Sequence, residues 1–311
     1  MTARNTVAEA TVTGTGLVVP PVPLPREAPW FDHRARLGRG YRYLPEACHY
    51  LLAAAREALA DAEPEQHAEE RRGIVVGTNS AVTALHSDIA GAVRGGDFDT
   101  LSPMTVPFFS VNLVAAKLST EHRFKAFNLT VSSPRVAGLE AVHLAAHALS
   151  AGRGDLVLAG ATEAPDPRAG DAVPESGAAL LLLRARTARA AGPVVRTALR
   201  FLPPRAAATA AGRERAGRAV QAALDGVCPV RPISLHLVSD HSPTARTAEA
   251  AVRAWCAGTT AVTDAAVPVG AGALAPLELL ARALRPDRPG PEAVVVASRE
   301  GNLAFAAVDV R

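Results

Sequence analysis

Two stretches, "GAALLLLRA" (177–185) and "EAVVVAS" (292–298), are apolar at almost every position rather than at every second one. A strand of that kind buries both faces, so the sheet that holds it must be covered on both sides. A third stretch, "FNLTVSSPRVAGLEAVHLAAHAL" (127–149), reads as a strand, a short polar turn and a helix of small apolar residues. Such a helix suits a buried layer. Around these segments strands and helices alternate. Strand patterns lie at "EATVTGTGLVVP", "RGIVVGTN", "DLVLAGATEA", "VVRTALRFLP" and "ISLHLVSDH", and a final strand follows a tight turn at Glu300-Gly301-Asn302. Helical spacing marks "PEACHYLLAAAREALADA", "TALHSDIAGAVRGG", the stretch from about Ser110, "AGRERAGRAVQAALDGV" and "TAEAAVRAWCAG". "AGALAPLELLARALR" reads as a helix interrupted by Pro276, and residues 21–40 read as loop. The class is α/β. The two halves have a similar order of elements. The expectation is an internally duplicated architecture, residues 1–190 and 191–311, packed as one compact body.

Composition narrows the function classes. The 311 residues are 49% hydrophobic, enough for a sizeable core. Thirty-three basic residues face 30 acidic ones, for a net charge of +3, without a polybasic block. The arginines of residues 196–218 are spread among alanines, as on a solvated helix face or a patch for an acidic partner. Aromatic residues make up 4%, too few for base-stacking surfaces. Nucleic acid is therefore not an expected partner. The first ten residues lack the apolar core of a signal peptide. No run of about 18 uncharged apolar residues exists to span a membrane. Cys48, Cys228 and Cys256 are widely spaced, as buried thiols of a reducing cytoplasm would be. No metal or cofactor is expected. "GTGLVV" and "VGAGAL" lack the spacing of phosphate loops.

The strand-to-helix turn at 132–136 is where a nucleophile belongs, because a helix N-terminus favours developing negative charge. This turn offers Ser132, Ser133, Pro134 and Arg135, and no cysteine. His143 and His147 follow, one helical turn apart, without further metal ligands nearby.

The stretch "NLTVSSPRVAGLEAVHLAAHALSAGRGDLVLAGATEA" resembles the nucleophile region of the β-ketoacyl synthases, a thiolase-fold family. "YLLAAAREALADA", "GIVVGTN", "LSPMTVPFFSVNLVAAKLS" and "AVPESGAALLLL" resemble further family segments in the same order, with Glu175 at a family glutamate. The resemblance implies a shortened thiolase-like fold, duplicated βαβαβ halves in α-β-α-β-α layers.

The departures from that family bear on chemistry. Aligning Thr130-Val131 and His143 places Arg135 at the position of the acyl-carrying cysteine. A guanidinium stays protonated and cannot be acylated. His241 in "LVSDHSPTARTAEA" stands where the first family histidine would be, but its following glycine and threonine are replaced. The second histidine and the lysine of the family motif are absent. The closing glycine-rich turn is replaced by residues 298–302. Catalysis needs those groups together.

The resemblance therefore points to a non-catalytic relative, the chain length factor of type II polyketide systems. Such a subunit forms a heterodimer with an active ketosynthase, possibly doubled into a heterotetramer, and shapes the tunnel for the growing chain. The short length is similar to partners in systems that make polyenes. A ketosynthase is thus the implied partner and an acyl carrier protein an indirect one. By the same resemblance Phe108, Phe109, Met104, Val111, Asn112 and Val114 lie in the segment that crosses the dimer interface. Phe108 and Phe109 either line the tunnel or belong to the core. Arg135 would either plug the dead pocket, with Glu163 or Glu175 as its acidic partner, or be solvated near an entrance; the cost of burying an unpaired guanidinium favours the plug. Glu175 and His143 read as structural.

Two enzymatic alternatives remain. Ser132 or Ser133 with His241, oriented by Asp240, would make an acyltransferase or thioesterase. Against it, proline and arginine crowd the turn and no GxSxG elbow exists. A decarboxylating loading synthase would need the missing histidine.

Overall fold

The computed structural model describes residues 7–21, 29–60, 62, 67–167, 175–186, 192–229, 233–257, 261–265, 272–285 and 290–309. Residue 190, the expected division, lies outside them. In chain order the first half comprises β1 (Ala8–Val18), α1 (His33–Leu37), α2 (Glu46–Ala60), β2 (Arg72–Gly77), α3 (Thr83–Gly95), α4 (Asn112–His122), β3 (Phe127–Val131), α5 (Ala137–Ser150), β4 (Leu156–Glu163) and β5 (Gly177–Arg184). The second comprises β6 (Val194–Phe201), α6 (Pro204–Ala207), α7 (Ala210–Val227), β7 (Ser234–Ser239), α8 (Pro243–Cys256), β8 (Ala261–Ala265), α9 (Leu274–Ala283), β9 (Glu292–Ala297) and β10 (Asn302–Asp309).

Among the described residues the strands form one ladder in the order β3-β2-β4-β5-β1-β6-β10-β9-β7-β8. The first five strands of the chain are arranged 3-2-4-5-1, and the second five repeat that arrangement in mirror order outward from the β1–β6 seam. In each half the fifth strand is antiparallel to its neighbours, and the second, third and fourth are parallel.

Three cores show the layering. One lies between the halves: α5 and α9 pack there against Val157, Ala159, Leu181, Val294, Val296 and Ala304. The opposite faces of the same strands, through Leu158, Leu180 and Leu182, meet α2 and α4. In the second half, Ala293, Val295 and Phe305 meet α7 and α8. The layers are therefore α-β-α-β-α, as the thiolase-like expectation requires. Leu180 to Leu183 are all 0% exposed and divide alternately between two cores, which is why β5 has no polar face. Full burial of each such leucine contributes about 1.5–3 kcal/mol.

α5 can be central because its residues are small. Gly138 lies against the Ala273 carbonyl at the start of α9, where a Cβ would overlap backbone. Any side chain there would push α5 from α9 and open the site described below.

Local details depart from the pattern reading. Pro276 does not interrupt α9, because the helix begins at Leu274 and the missing N–H falls in the first turn. α8 starts at Pro243, with the Ser242 hydroxyl accepting from Ala245 N–H. The loop at 21–40 contains α1, capped by Asp32. β8 was not expected, since "AVTDA" is short and only weakly apolar. Among the described residues no helix is long and apolar enough to cross a membrane.

Candidate functional site

Three turns converge where the two halves meet. The first joins β3 to α5. Ser132 Oγ donates to the Thr78 carbonyl at 2.7 Å, Asn79 Nδ2 donates to the Ser133 carbonyl at 3.4 Å, and Ala137 N–H donates to the same carbonyl at 3.1 Å. These bonds close the turn and leave Arg135 in the left-handed region, with φ of 64°. The second turn joins β7 to α8 and holds Asp240 and His241, the latter also left-handed at φ 54°. The third joins β9 to β10 at 298–301. Non-glycine residues held in this region store strain, and such residues cluster at sites.

Asp240 ties the three turns together. Its Oδ2 lies 3.6 Å from Arg135 Nε and accepts the Arg299 N–H at 2.8 Å, while Oδ1 accepts the Ser242 N–H at 3.1 Å. The Arg135 and Asp240 side chains are only 11% and 10% exposed. Burial pushes the Asp240 carboxyl up, but hydrogen bonds from Ser242 and Arg299, together with the Arg135 charge, prevail and hold it below its ordinary value. Among the described residues Arg135 forms no ion pair with Glu163 or Glu175; donors of the β2 turn and of the start of α9 occupy those carboxylates.

Glu163 is fully buried and accepts from Thr78 Oγ1 (3.1 Å), Asn79 N–H (2.9 Å), Ser80 N–H (2.7 Å), Ser80 Oγ (2.6 Å) and Ala273 N–H (2.8 Å). Glu175 accepts from the N–H groups of Gly272 (3.2 Å), Leu274 (3.3 Å) and Ala275 (3.0 Å). The two glutamates together satisfy the N-terminus of α9. Burial first, and the nearby Glu163 charge second, push the Glu175 carboxyl up to about 7 against those three N–H donors. Both carboxylates thus hold the strand ends and α9 in place.

His241 Nδ1 lies 3.1 Å from Glu249 Oε1, and Ser239 Oγ donates to the same oxygen. The ring is 61% exposed. Asp240 does not orient it, because that carboxylate turns the opposite way to Arg135 and Arg299. Among the described residues no hydrogen bond joins Ser132 or Ser133 to His241, so the serine–histidine alternative has no assembled dyad. His143 is buried, with Nδ1 3.0 Å from Thr197 Oγ1, and burial lowers its pKa to about 4. His147 meets it edge-to-face at 4.6 Å. The three cysteines are buried away from the turns, and burial pushes the Cys48 thiol up to about 12.

The segment before α4 forms an exposed apolar face. Met104, Val106 and Phe109 are 59%, 56% and 56% exposed, and Leu129 on the sheet-edge strand β3 is 42% exposed. Asn112 is exposed at the start of α4, and its Oδ1 accepts the Ser110 hydroxyl at 2.5 Å. Phe108 and Val111 pack partly on the α2 core, and Val114 lies within it at 1% exposure, so Val114 offers no open surface. Beside this face a cleft of about 550 Å³ opens between the start of α2 and α3, lined by Leu44, Pro45, Ala81, Ala84, Leu85 and Thr105. None of the six expected segment residues lines it. Its α3 residues went unnoticed in the sequence, where "TALHSDIAGAVRGG" read only as a helix. The available signal was the run Ala81, Ala84, Leu85 directly after the β2 turn.

Residues 39–181 match the family described as Beta-ketoacyl synthase, N-terminal domain. A 3-oxoacyl-[acyl-carrier-protein] synthase 2 of Rhizobium meliloti (strain 1021) is 29% identical over 119 residues, 37% of this chain and 28% of that relative's length. Solved structures share the fold over nearly the whole chain. The ishigamide ketosynthase/chain length factor matches with TM-score 0.69 at 21% identity, covering 97% of this chain and 99% of that one. A type II polyketide synthase acyl-carrier protein complex with its hexaketide-bound ketosynthase matches with TM-score 0.70 at 15% identity, covering 98% and 100%. An oxazolomycin ketosynthase domain of Streptomyces albus JA3453 matches with TM-score 0.63 at 17% identity, covering 98% and 96%. The converging turns thus sit in a fold shared with solved ketosynthases, and residues 39–181 match the β-ketoacyl synthase N-terminal domain.

Proposed function

We propose that this chain is a non-catalytic, chain-length-factor-like subunit that pairs with an active ketosynthase in type II polyketide assembly, in a short-chain form suited to a polyene system in the cytoplasm. The observation that carries the reading is the buried Arg135–Asp240 pair at the strand-to-helix turn. A guanidinium in this position offers no nucleophile, and its ion pair fills the space a thioester would need. Arg135 stands there in place of the family cysteine, and His241 is the remnant of the first family histidine.

The apolar face supports the partner. Met104, Val106 and Phe109 are exposed, and so is Leu129 on β3, the terminal strand of the sheet among the described residues; such surfaces invite a second chain. The ketosynthase covers this face. The adjacent cleft lined by Ala81, Ala84 and Leu85 holds part of the growing chain, and Phe109 belongs to the exposed apolar segment outside it. One neighbour is itself a ketosynthase/chain length factor, which supports the same pairing here.

The test is co-purification. The chain is expressed alone and with the ketosynthase encoded nearest to it, and both are measured by native mass spectrometry. A one-to-one or two-to-two complex supports the proposal. A stable homodimer that ignores the ketosynthase overturns it.

A further inference from the structure

At the centre of the ladder β1 leaves part of one edge uncovered. It pairs with β5 from Thr11 to Val18, but with β6 only from Ala8 to Thr11. A bulge between Val12 and Gly14 turns the strand away from β6, and beyond it no strand lies on that edge among the described residues. One hydrogen bond fixes the direction of the backbone groups there. Leu17 N–H donates to Glu57 Oε2 at 3.1 Å and so points away from β5. In an antiparallel ladder the outward groups belong to every second residue. Thr15 therefore turns its N–H and C=O outward too, while Gly14 and Gly16 turn theirs to β5.

Both ends of this free edge are closed. The Pro193 carbonyl accepts the Val12 N–H at 2.8 Å, and the Glu57 carboxylate covers Leu17. Such groups guard an edge against a strand that runs its full length. Thr15 lies between them, half-buried, and its outward groups have no hydrogen bond among the described residues. It lines a second cleft, of about 370 Å³, closed by Glu57 of α2, Pro193, and Ala281, Leu284 and Arg285 at the end of α9. Backbone groups left unpaired in a cleft suit a second main chain. From Thr13 to Leu17 the edge is roughly 13 Å long, room for about four extended residues. The cleft also holds one unpaired charge. Glu57 pairs with Arg36 at 3.2 Å, whereas Arg285 has no carboxylate partner among the described residues.

We infer that this cleft binds the extended C-terminal end of a partner chain, with its backbone paired to Thr15 and its terminal carboxylate against Arg285. The closed ends select a terminus. An internal strand would have to displace Pro193 or Glu57 as it passed, and a chain end need displace neither. The carboxylate supplies the charge that Arg285 lacks, and Val12, Leu17 and Leu284 offer apolar wall to the side chains that precede it. The site lies on β1 at the centre of the ladder, and the apolar face assigned to the ketosynthase adjoins β3 at its end. The inference therefore does not rest on the ketosynthase reading.

The experiment combines hydrogen exchange with peptide binding, on the purified chain or on the complex it forms. Without peptide the Thr15 amide should exchange much faster than those of Gly14 and Gly16. The probes are a fluorescein-labelled hexapeptide of alternating valine and threonine with a free C-terminal carboxylate, and the same peptide as its C-terminal amide. By fluorescence anisotropy the free acid should bind saturably and at least about tenfold tighter than the amide, and it should slow exchange at Thr15. Arg285→Ala should erase the difference between acid and amide. Thr15→Pro, which removes only an outward N–H, should weaken both, and Arg218→Ala on the exposed face of α7 should change neither. A Thr15 amide already protected in the free protein would show that the chain covers its own edge and would overturn the inference. Equal binding of acid and amide, or no saturable binding below about 1 mM, would do the same. Circular dichroism separates lost binding from lost fold, and if Thr15→Pro does not fold, the Arg285→Ala comparison still decides.

Discussion

Replacing Asp240 by alanine removes the residue that joins all three turns. The Arg135 guanidinium would remain, 11% exposed and without its carboxylate. At 3.6 Å the direct attraction is about 4–5 kcal/mol at an effective dielectric of about 20. Most of that is offset by the desolvation already incurred in burying both charges, so the intact pair contributes little net stability. Breaking it is different. The stranded charge and the freed N–H groups of Ser242 and Arg299 together cost about 3 kcal/mol, the lower part of the range for buried pairs because both side chains keep slight contact with water.

For a chain of this size that corresponds to a fall of about 5 °C in Tm. The assay is chemical denaturation of the purified protein, alone or as its complex, for Asp240→Ala, Arg135→Met and the double variant. The double variant should be less destabilised than the sum of the singles by about 2 kcal/mol, since removing both charges leaves neither stranded. A loss under about 0.5 kcal/mol for Asp240→Ala, or strict additivity, would refute the claim that the pair closes the pocket.

Other consequences can be checked separately. Arg135→Cys should not restore chain elongation, because the turn still lacks a second histidine and would leave Asp240 unpaired; mass spectrometry of the protein after incubation with acyl carrier protein would detect any thioester. Leu129→Lys should weaken the ketosynthase complex at least about tenfold while leaving the fold of this chain intact, read by native mass spectrometry and circular dichroism. Leu85→Trp should shorten the polyketide by narrowing the cleft; an unchanged product profile would remove the tunnel assignment. Glu175 has a folded pKa near 7, above its unfolded value, so its stabilising contribution is full below about pH 4.5 and is lost as pH rises through 7, on the order of 3 kcal/mol. Glu175→Gln should flatten that decline; His143, whose folded pKa is lowered to about 4, acts in the opposite sense below pH 6.5 and is common to both proteins.

Periodicity exposed the layers because the layers depend on it. β5 and β9 have no polar face since each divides its side chains between two cores, and that is visible in "GAALLLLRA" and "EAVVVAS" without any structure. β8 was invisible because an edge strand of five residues with exposed positions carries almost no pattern. The identity of Arg135 as the odd residue in the turn was also legible. Its partner was not. Asp240 lies 105 residues away in the other half, and nothing in local sequence distinguishes it from Glu163 or Glu175. Those two glutamates looked available because their true partners are backbone N–H groups at the start of α9, which a sequence does not display. The α3 lining of the cleft was missed for a related reason: alanines on a helix read as core until the helix is seen to bury almost nothing.

The repeated strand order also explains how the site stays ordered. The first half contributes the turn after β3, and the second contributes the turns after β7 and β9, so the site is assembled only when the halves dock. Here the turns are joined by one carboxylate that accepts from two backbone N–H groups and faces one guanidinium. That joint needs no ligand to persist. It leaves the strained residues Arg135 and His241 fixed in place, with the imidazole directed outward and held by Glu249. Such a joint keeps the three turns in one arrangement, with the Arg135–Asp240 pair buried between them.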